Sequence, residues 1–414
     1  VQLSDIDLTD MDRFKQAFPH EWFTFLREEA PVWFHPPTDV PENTEGFWVV
    51  TKYDDVVAVS RDWQTFSSEK APEHELGGVM LPDIGPESGV GTMMLMMDPP
   101  QHTRYRKIVS SAFTPRVVRL FEQQVRRRAR EIVDAVIERG ECDFVTEISA
   151  ELPLQAIAEI LGVPQHDRGK LFDWTNKMVG SSDPEYVVAE NEFMTVSTEM
   201  FGYANALGAE KRAEPGDDIV TAIVNAEVDG EQLTEFEFDM FFMLLTVAGN
   251  ETTRNAITHG MLAFFENPDQ WALLRDDLSL LDTAAEEIVR WASPVIYFRR
   301  SLTHDAELRG HRMKTGDKIT LWYPSANRDE DVFDRPFEFD IRRDPNPHIG
   351  FGGRGPHFCL GSNLARLEIK VIFEELARRV PDIAPADDPD RLRSNFINGI
   401  KHLPVTFSQA RRSA

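Results

Sequence analysis

The chain has 414 residues, 44 basic and 70 acidic, for a formal charge of −26. A surface of that sign is repelled by nucleic-acid phosphates and by anionic lipid headgroups, so general nucleic-acid binding is not expected. Hydrophobic residues make up 42%, too many for a disordered chain, and two cysteines are too few for a disulfide scaffold or a four-cysteine zinc site.

Val1 to Trp33 mixes charged and apolar residues and holds no signal-peptide core. Phe47 to Val59 and Cys142 to Val145 read in part as strands. Most of the remainder has helical periodicity, which predicts helices over Arg116–Arg139, Ser149–Leu161, Leu233–Glu266, Leu281–Ala292 and Leu360–Arg379. Short strands are predicted within Val295–Leu302, Lys318–Trp322 and Phe396–Phe407. The longest apolar run, Met240 to Gly249, has ten residues where a bilayer needs ~20, so it reads as a buried helix segment. No repeat and no Gly/Ser linker divides the chain. The expectation is one domain over residues 1–414, mainly α with small β-sheets, although the length alone suggests two or three.

Along this framework five stretches stand out. Met93, Met94, Met96 and Met97 form a flexible apolar cluster; methionines fill irregular cores and also line adaptable pockets. Arg104 to Arg130 then holds nine basic residues and one acid, Glu122. That is either a solvated helix face or a docking face for an acidic protein.

Thr234 with Glu237 forms a capping box and Asn267-Pro268 a stop, enclosing a helix of roughly 50 Å at 1.5 Å per residue. Its middle, Leu244 to Thr253, interrupts an apolar core with Gly249, Asn250, Thr252 and Thr253, each a weaker helix former than alanine or leucine. Gly249 would let a bulky group approach the backbone, and a threonine beside Glu251 can relay protons. The plainer reading is a kinked helix whose threonines bond their own carbonyls. Further on, Glu287 and Arg290 have the i,i+3 spacing of an ion pair that any helix can carry.

The run Asn346 to Gly361 places four glycines and Pro356 before Cys359, with an amphipathic helix after it. Cys359 therefore sits at a helix N-terminus, where the dipole and free N–H groups favour a thiolate. A thiolate there is a nucleophile or a metal ligand. No Gly-Lys-Ser/Thr ends the run as a phosphate loop would, and zinc needs more ligands than it offers. Haem needs one axial cysteine and cations for two propionates. Cys142 reads as a small buried residue.

The glycine-rich loop ending at Cys359, the Ala248-Gly249-Asn250-Glu251-Thr252 segment and Glu287-Ile288-Val289-Arg290 resemble, in family order, the motifs of cytochrome P-450s of the soluble bacterial type. The resemblance implies the triangular helical body of those haem-thiolate monooxygenases around a buried haem b (iron protoporphyrin IX), with O2 as co-substrate. Cys359 would be the axial thiolate. His102, Arg106, Arg300 and His357 would bind the propionates. Phe351, Gly352 and Gly361 would border the haem, Ala248 and Gly249 would make room above it, and Glu251 with Thr252 would organise proton delivery. Phe351 stands one position further from the cysteine than the family's aromatic residue. Glu287 and Arg290 would be structural, with Glu338 where a third member, an arginine, is usual and Arg343 as the alternative. The substrate pocket would comprise Met93, Met94, Leu95, Leu244, Val247, Ala248, Val295, Ile296 and Phe298, shaped by the loops Ala71–Gly91 and Gly180–Tyr186.

The segments Glu286 to Pro294, Ser325 to Glu330 and Asn398 to Val405 resemble actinobacterial methyl-branched lipid ω-hydroxylases and, next to them, cholesterol and steroid side-chain hydroxylases. The implied reaction is hydroxylation of a terminal methyl on a branched lipid, isoprenoid or sterol chain. The alternative within the family is another terpenoid, steroid or secondary metabolite. Electrons would come from NAD(P)H through a ferredoxin reductase and a ferredoxin docking on Arg104–Arg130. The expected protein is a cytoplasmic monomer. Two readings from other classes stand beside it. A non-catalytic haem sensor would not need Glu251 and Thr252, and a cysteine-nucleophile hydrolase would be colourless.

Overall fold

The structure, a computed structural model, describes residues 1–186 and 192–412. Helices hold 52% of the described residues, and those that frame the site are α1 (Tyr53–Arg61), α2 (Gln101–Ser110), α3 (Pro115–Ile137), α4 (Glu151–Leu161), α5 (Arg168–Val179), α6 (Glu192–Ala213), α7 (Glu235–Glu266), α8 (Leu281–Ala292) and α9 (Ser362–Arg379). Ten of the strands form three sheets: β1 (Val32–His35), β2 (Phe47–Val50), β3 (Phe66–Ser67), β4 (Glu141–Asp143), β5 (Tyr297–Leu302), β6 (Lys318–Trp322), β7 (Ala384–Pro385), β8 (Asp390–Arg391), β9 (Ile400–His402) and β10 (Pro404–Thr406).

The largest sheet has the order β1-β2-β6-β5-β3, with β2 and β6 parallel and the other neighbours antiparallel. The order β7-β10-β4 makes a second sheet, and β8 pairs with β9.

α7 runs through the centre. Thr234 caps it as its sequence predicts, donating N–H to Glu237 Oε2 at 2.7 Å and accepting Glu237 N–H at 3.2 Å. Around α7 pack α4, α5, α6 and α8. Burial all round explains a sequence apolar on every face, since such a helix has no solvent side to make polar. α3 shows the other pattern. Val118, Val125, Ala129, Ile132, Val133 and Val136 face inward, against α4 and α9, while Arg116, Arg119, Arg127 and Arg130 are exposed. Thr114 and Pro115 supply its N-cap and first turn.

The predicted strand segments resolve into shorter pieces, two of them strand only in part, as expected. Phe47–Val59 divides into β2 and α1, because Asp54 and Asp55 in the first turn of α1 suit a helix N-terminus. Cys142 and Asp143 are in β4, but Val145–Ser149 already turns as a π-helix. Phe396–Phe407 contains the two short strands β9 and β10. α5 and α6 were not anticipated. The polar side of α5 is used internally, with Thr175 and Asn176 buried, so its pattern does not divide into an apolar and a wet face. Among the described residues no helix is long and apolar enough to cross a membrane.

Candidate functional site

The cysteine loop is shaped by what packs behind it. A Cβ on Gly350 would stand 2.8 Å from Val289 Cγ1 on α8, and one on Gly353 would stand 2.2 Å from Ser60 Oγ on α1. Gly355 is tighter still, its missing Cβ lying 1.9 Å from the backbone oxygen of Ser60. Gly352 alone among these has a left-handed backbone, φ +104°. The glycines thus let the loop press against two helices at once. Gly355→Ala cannot be relieved by a side-chain rotation. It should cost about 3 kcal/mol or more, read as a fall in Tm and in cofactor bound per protein; parent-like values would refute this packing role.

Cys359 N–H donates to Phe351 O at 2.8 Å, which closes the loop. Cys359 lines a cavity and is accessible from it. Burial pushes the thiol pKa up, opposed by N–H from Gly361, the guanidiniums of Arg106 and Arg366, and N–H from Ser362. A metal cation against the sulfur would override the burial effect and hold it as thiolate. Among the described residues no cluster of three or more His, Cys, Asp or Glu could hold an ion without it. Cys142 is buried in β4, where burial pushes its thiol up to about 12.

The same cavity is bordered by His102 and Arg106 of α2, Arg300 of β5 and His357 of the loop. The two imidazoles lie 4.3 Å apart between ring centres. Arg106 donates to the carbonyls of Pro356 (3.2 Å) and Phe358 (2.6 Å), and Arg300 to its neighbour Arg299 O (2.8 Å). Neither arginine meets a carboxylate among the described residues. His102 Nδ1 and His357 Nε2 are buried with no hydrogen-bond partner among those residues. Burial, then Arg106 and Arg300, depress His102 to about 4. Burial, Arg300, His102 and Arg106 push His357 well down. Four groups able to carry positive charge converge and suppress one another, an arrangement completed by an anion. One axial sulfur and a buried cationic set without its own acid fit haem and its propionates.

Phe351, Gly352 and Gly361 also border the cavity. Arg366 stacks 4.4 Å over Phe351 and is paired to Glu286, which takes His348 Nε2 at 2.8 Å. Burial would raise the Glu286 carboxyl, but hydrogen bonds from His348 and Arg366 hold it at about 2. This brace was not singled out from the sequence, because its members are 62 and 80 residues apart.

From α7, Ala248, Gly249 and Thr252 reach the wall. Thr252 donates to Ala248 O at 3.0 Å, so the plainer reading of this threonine holds while it still borders the cavity. A Cβ on Gly249 would meet Ile157 of α4 at 2.8 Å, so this glycine also serves helix packing. Glu251 is 2% exposed and is not part of the wall; it is paired to Arg254, which donates to Asn176 Oδ1 of α5 at 2.6 Å. Arg254 was readable as an i,i+3 partner, whereas Asn176 was not.

Of the expected pocket residues, Met94, Leu95, Leu244, Ala248, Val295 and Phe298 line the cavity, together with Ile157, Leu245 and Ala256. Met93, Val247 and Ile296 do not; Ile296 packs instead in the core around Phe23 and Trp322. Neither Ala71–Gly91 nor Gly180–Tyr186 contributes to this wall. Glu287 and Arg290 form a fully buried pair, and Arg343 joins it, Nε to Glu287 Oε2 at 3.1 Å. Glu338 contributes only its carbonyl, to Arg290 and Arg343.

A sequence model of the cytochrome P450 family matches residues 43–380. The chain is 46% identical to a steroid C26-monooxygenase of Rhodococcus jostii, over 98% of this chain and 85% of that protein. It is 47% identical to a methyl-branched lipid omega-hydroxylase of Mycobacterium tuberculosis, over 99% and 96%. A solved Mycobacterium marinum cytochrome P450 in complex with pseudoionone superposes with a TM-score of 0.90 at 40% identity, covering 97% of this chain and 98% of that one.

Proposed function

Because this chain belongs to the cytochrome P450 family and is a haem- and O2-dependent monooxygenase, we propose that it hydroxylates the terminal methyl of a methyl-branched lipid, isoprenoid or sterol side chain. The observation that carries the substrate reading is the apolar wall of Met94, Leu95, Leu244, Val295 and Phe298 in the cavity that holds Cys359. A greasy wall suits a greasy chain. Identities of 46% and 47% to the steroid and lipid enzymes do not rank the two substrate classes.

Haem held by Cys359 would supply oxygen activation, placing one oxygen atom in the substrate and one in water. The protein's own groups do the rest. Cys359 would hold the haem iron as thiolate and supply electron density to it. Arg106 and Arg300, with His102 and His357, neutralise the propionates. Thr252 offers a hydroxyl at the wall, and with Glu251 it organises proton delivery. The apolar wall excludes water and orients the chain end-on, which terminal attack requires because internal C–H bonds are weaker. Incubation with a methyl-branched fatty acid and with a sterol, each with product analysis, tests this. Terminal alcohols are expected, and in-chain products alone would overturn it.

The electron donor in this reading is a ferredoxin, reduced by NAD(P)H through its reductase, in a cytoplasm that keeps Cys142 and Cys359 out of disulfides. Within Arg104–Arg130, Arg104, Arg126, Arg127 and Arg128 are already paired to Asp229, Glu374, Glu131 and Glu159. Lys107, Arg116 and Arg119 are exposed without an ion pair among the described residues, beside Leu120, 75% exposed. These form the docking face. The reduction rate by ferredoxin should fall as ionic strength rises past ~0.1 M, where the screening length is about 10 Å. A salt-indifferent rate would exclude it.

A further inference from the structure

The brace behind the cysteine loop joins three parts of the chain through side chains. His348 precedes the glycines, Glu286 lies on α8, and Arg366 lies on α9, about two turns beyond Cys359. His348 Nδ1 accepts the Gly350 N–H at 3.1 Å, so the ring proton sits on Nε2, which donates to Glu286 Oε2 at 2.8 Å. The imidazole is neutral in this arrangement, because a second ring proton would point at the Gly350 N–H. Arg366 holds both oxygens of the same carboxylate, Nε on Oε1 and Nη2 on Oε2, the latter at 3.1 Å. A two-point grip fixes the orientation of a guanidinium, and this one stands 4.4 Å from the centre of the Phe351 ring.

These contacts converge on Phe351, which borders the cavity and whose carbonyl accepts the Cys359 N–H at 2.8 Å. A cation over a ring face is drawn to the ring's electrons and holds the ring in place. Joining the two helices does not require that stack. Lys370 of α9 already meets Asp282 of α8 at 2.8 Å, and that pair makes no listed-loop contact of the kind Arg366 makes with Phe351. Glu286 and Arg366 are each 29% exposed, so water weakens their fields without removing them.

We propose that Arg366, held by Glu286 and His348, is a positioning residue for the cysteine ligand: it fixes Phe351, which in turn holds the Cys359 amide, and its charge, balanced by Glu286, sets how readily the iron is reduced. The inference rests on the reading of Cys359 as the axial ligand. Reduction adds one negative charge to an iron–thiolate unit, so a nearby cation favours it and a nearby anion opposes it. Arg366 and Glu286 therefore act on the potential with opposite signs, although both hold the same loop.

The competing account is a staple that serves stability alone. Substrate-free holoenzyme is equilibrated with a one-electron reference dye under argon, and the ratio of reduced to oxidised haem is read from the Soret band. Arg366→Gln leaves Glu286 without its cation and should lower that ratio several-fold. Glu286→Gln leaves Arg366 without its anion and should raise it several-fold, and the double variant should return toward the parent. Arg366→Lys keeps the charge without the planar stack. It should restore the ratio, while a larger share of its reduced, CO-bound form lacks the red-shifted band. Lys370→Gln removes the cation of the neighbouring α8–α9 pair and should leave the ratio unchanged. A staple predicts a lowered Tm in both single variants, with ratios that stay at the parent value or move the same way. Either pattern would overturn the proposal, as would an equal shift in Lys370→Gln. If the parent itself shows no red-shifted band with CO, it is the ligand reading that fails, and this one with it.

Discussion

Cys359→Ser protein, reduced and exposed to carbon monoxide, is expected to lose the strongly red-shifted Soret band of the parent and to lose hydroxylation by several orders of magnitude. The thiolate is the source of that band shift and of the electron density that favours O–O cleavage, and a serine hydroxyl supplies neither. The substitution leaves the loop intact, because the bond that closes it runs from the backbone N–H of residue 359 to Phe351 O. Tm should therefore change little, which separates loss of ligation from loss of fold. Cys142→Ala is the matched control: it sits in β4, outside the cavity wall, and should keep the band. A red-shifted band surviving in Cys359→Ser, or lost in Cys142→Ala, would remove Cys359 as the ligand.

Glu287→Gln should be the most destabilising of the ion-pair variants. Glu287 is fully buried and takes five donors: Arg290 Nε and Nη2 at 2.8 and 2.7 Å, Arg343 Nε at 3.1 Å, Asn346 Nδ2 at 3.0 Å and Asp340 N–H at 3.0 Å. Removing its charge leaves two guanidiniums facing a neutral amide. Breaking a buried pair costs about 3–5 kcal/mol, a large share of the ~5–15 kcal/mol that holds a domain together. Little folded, cofactor-loaded protein is expected, judged by soluble yield and by Soret absorbance per protein. Arg343→Ala should cost less, about 1–3 kcal/mol, since Arg290 still covers both Glu287 oxygens. Glu338→Ala should be nearly silent, because only its carbonyl enters the network and its carboxylate pairs with exposed Arg335. Equal stability of all three would contradict this ranking.

The order of those effects shows where sequence reasoning works. The helix Leu281–Ala292 was legible to the residue, and with it the i,i+3 geometry of Glu287 and Arg290, because one helical turn fixes both. The capped start of α7 at Thr234 was legible for the same local reason. Arg343 is 56 residues from Glu287, and only the path of the chain between α8 and the cysteine loop brings them together. β2 and α1 were merged because Val56, Val57 and Val59 are β-branched and helix formation there depends on packing, not on propensity.

By itself the sequence determined the family, the cysteine loop and the elements whose signals lie within a few residues: a cap, an amphipathic helix, a run of glycines. Tertiary structure decided what each charged group faces. It brought His102 against His357, set Ser60 under Gly355, withdrew Met93, Val247 and Ile296 from the cavity and turned Glu251 outward onto Arg254. Such placements depend on contacts between segments far apart in the chain, and burial makes them matter, because a charge removed from water must find its partner wherever the fold provides one.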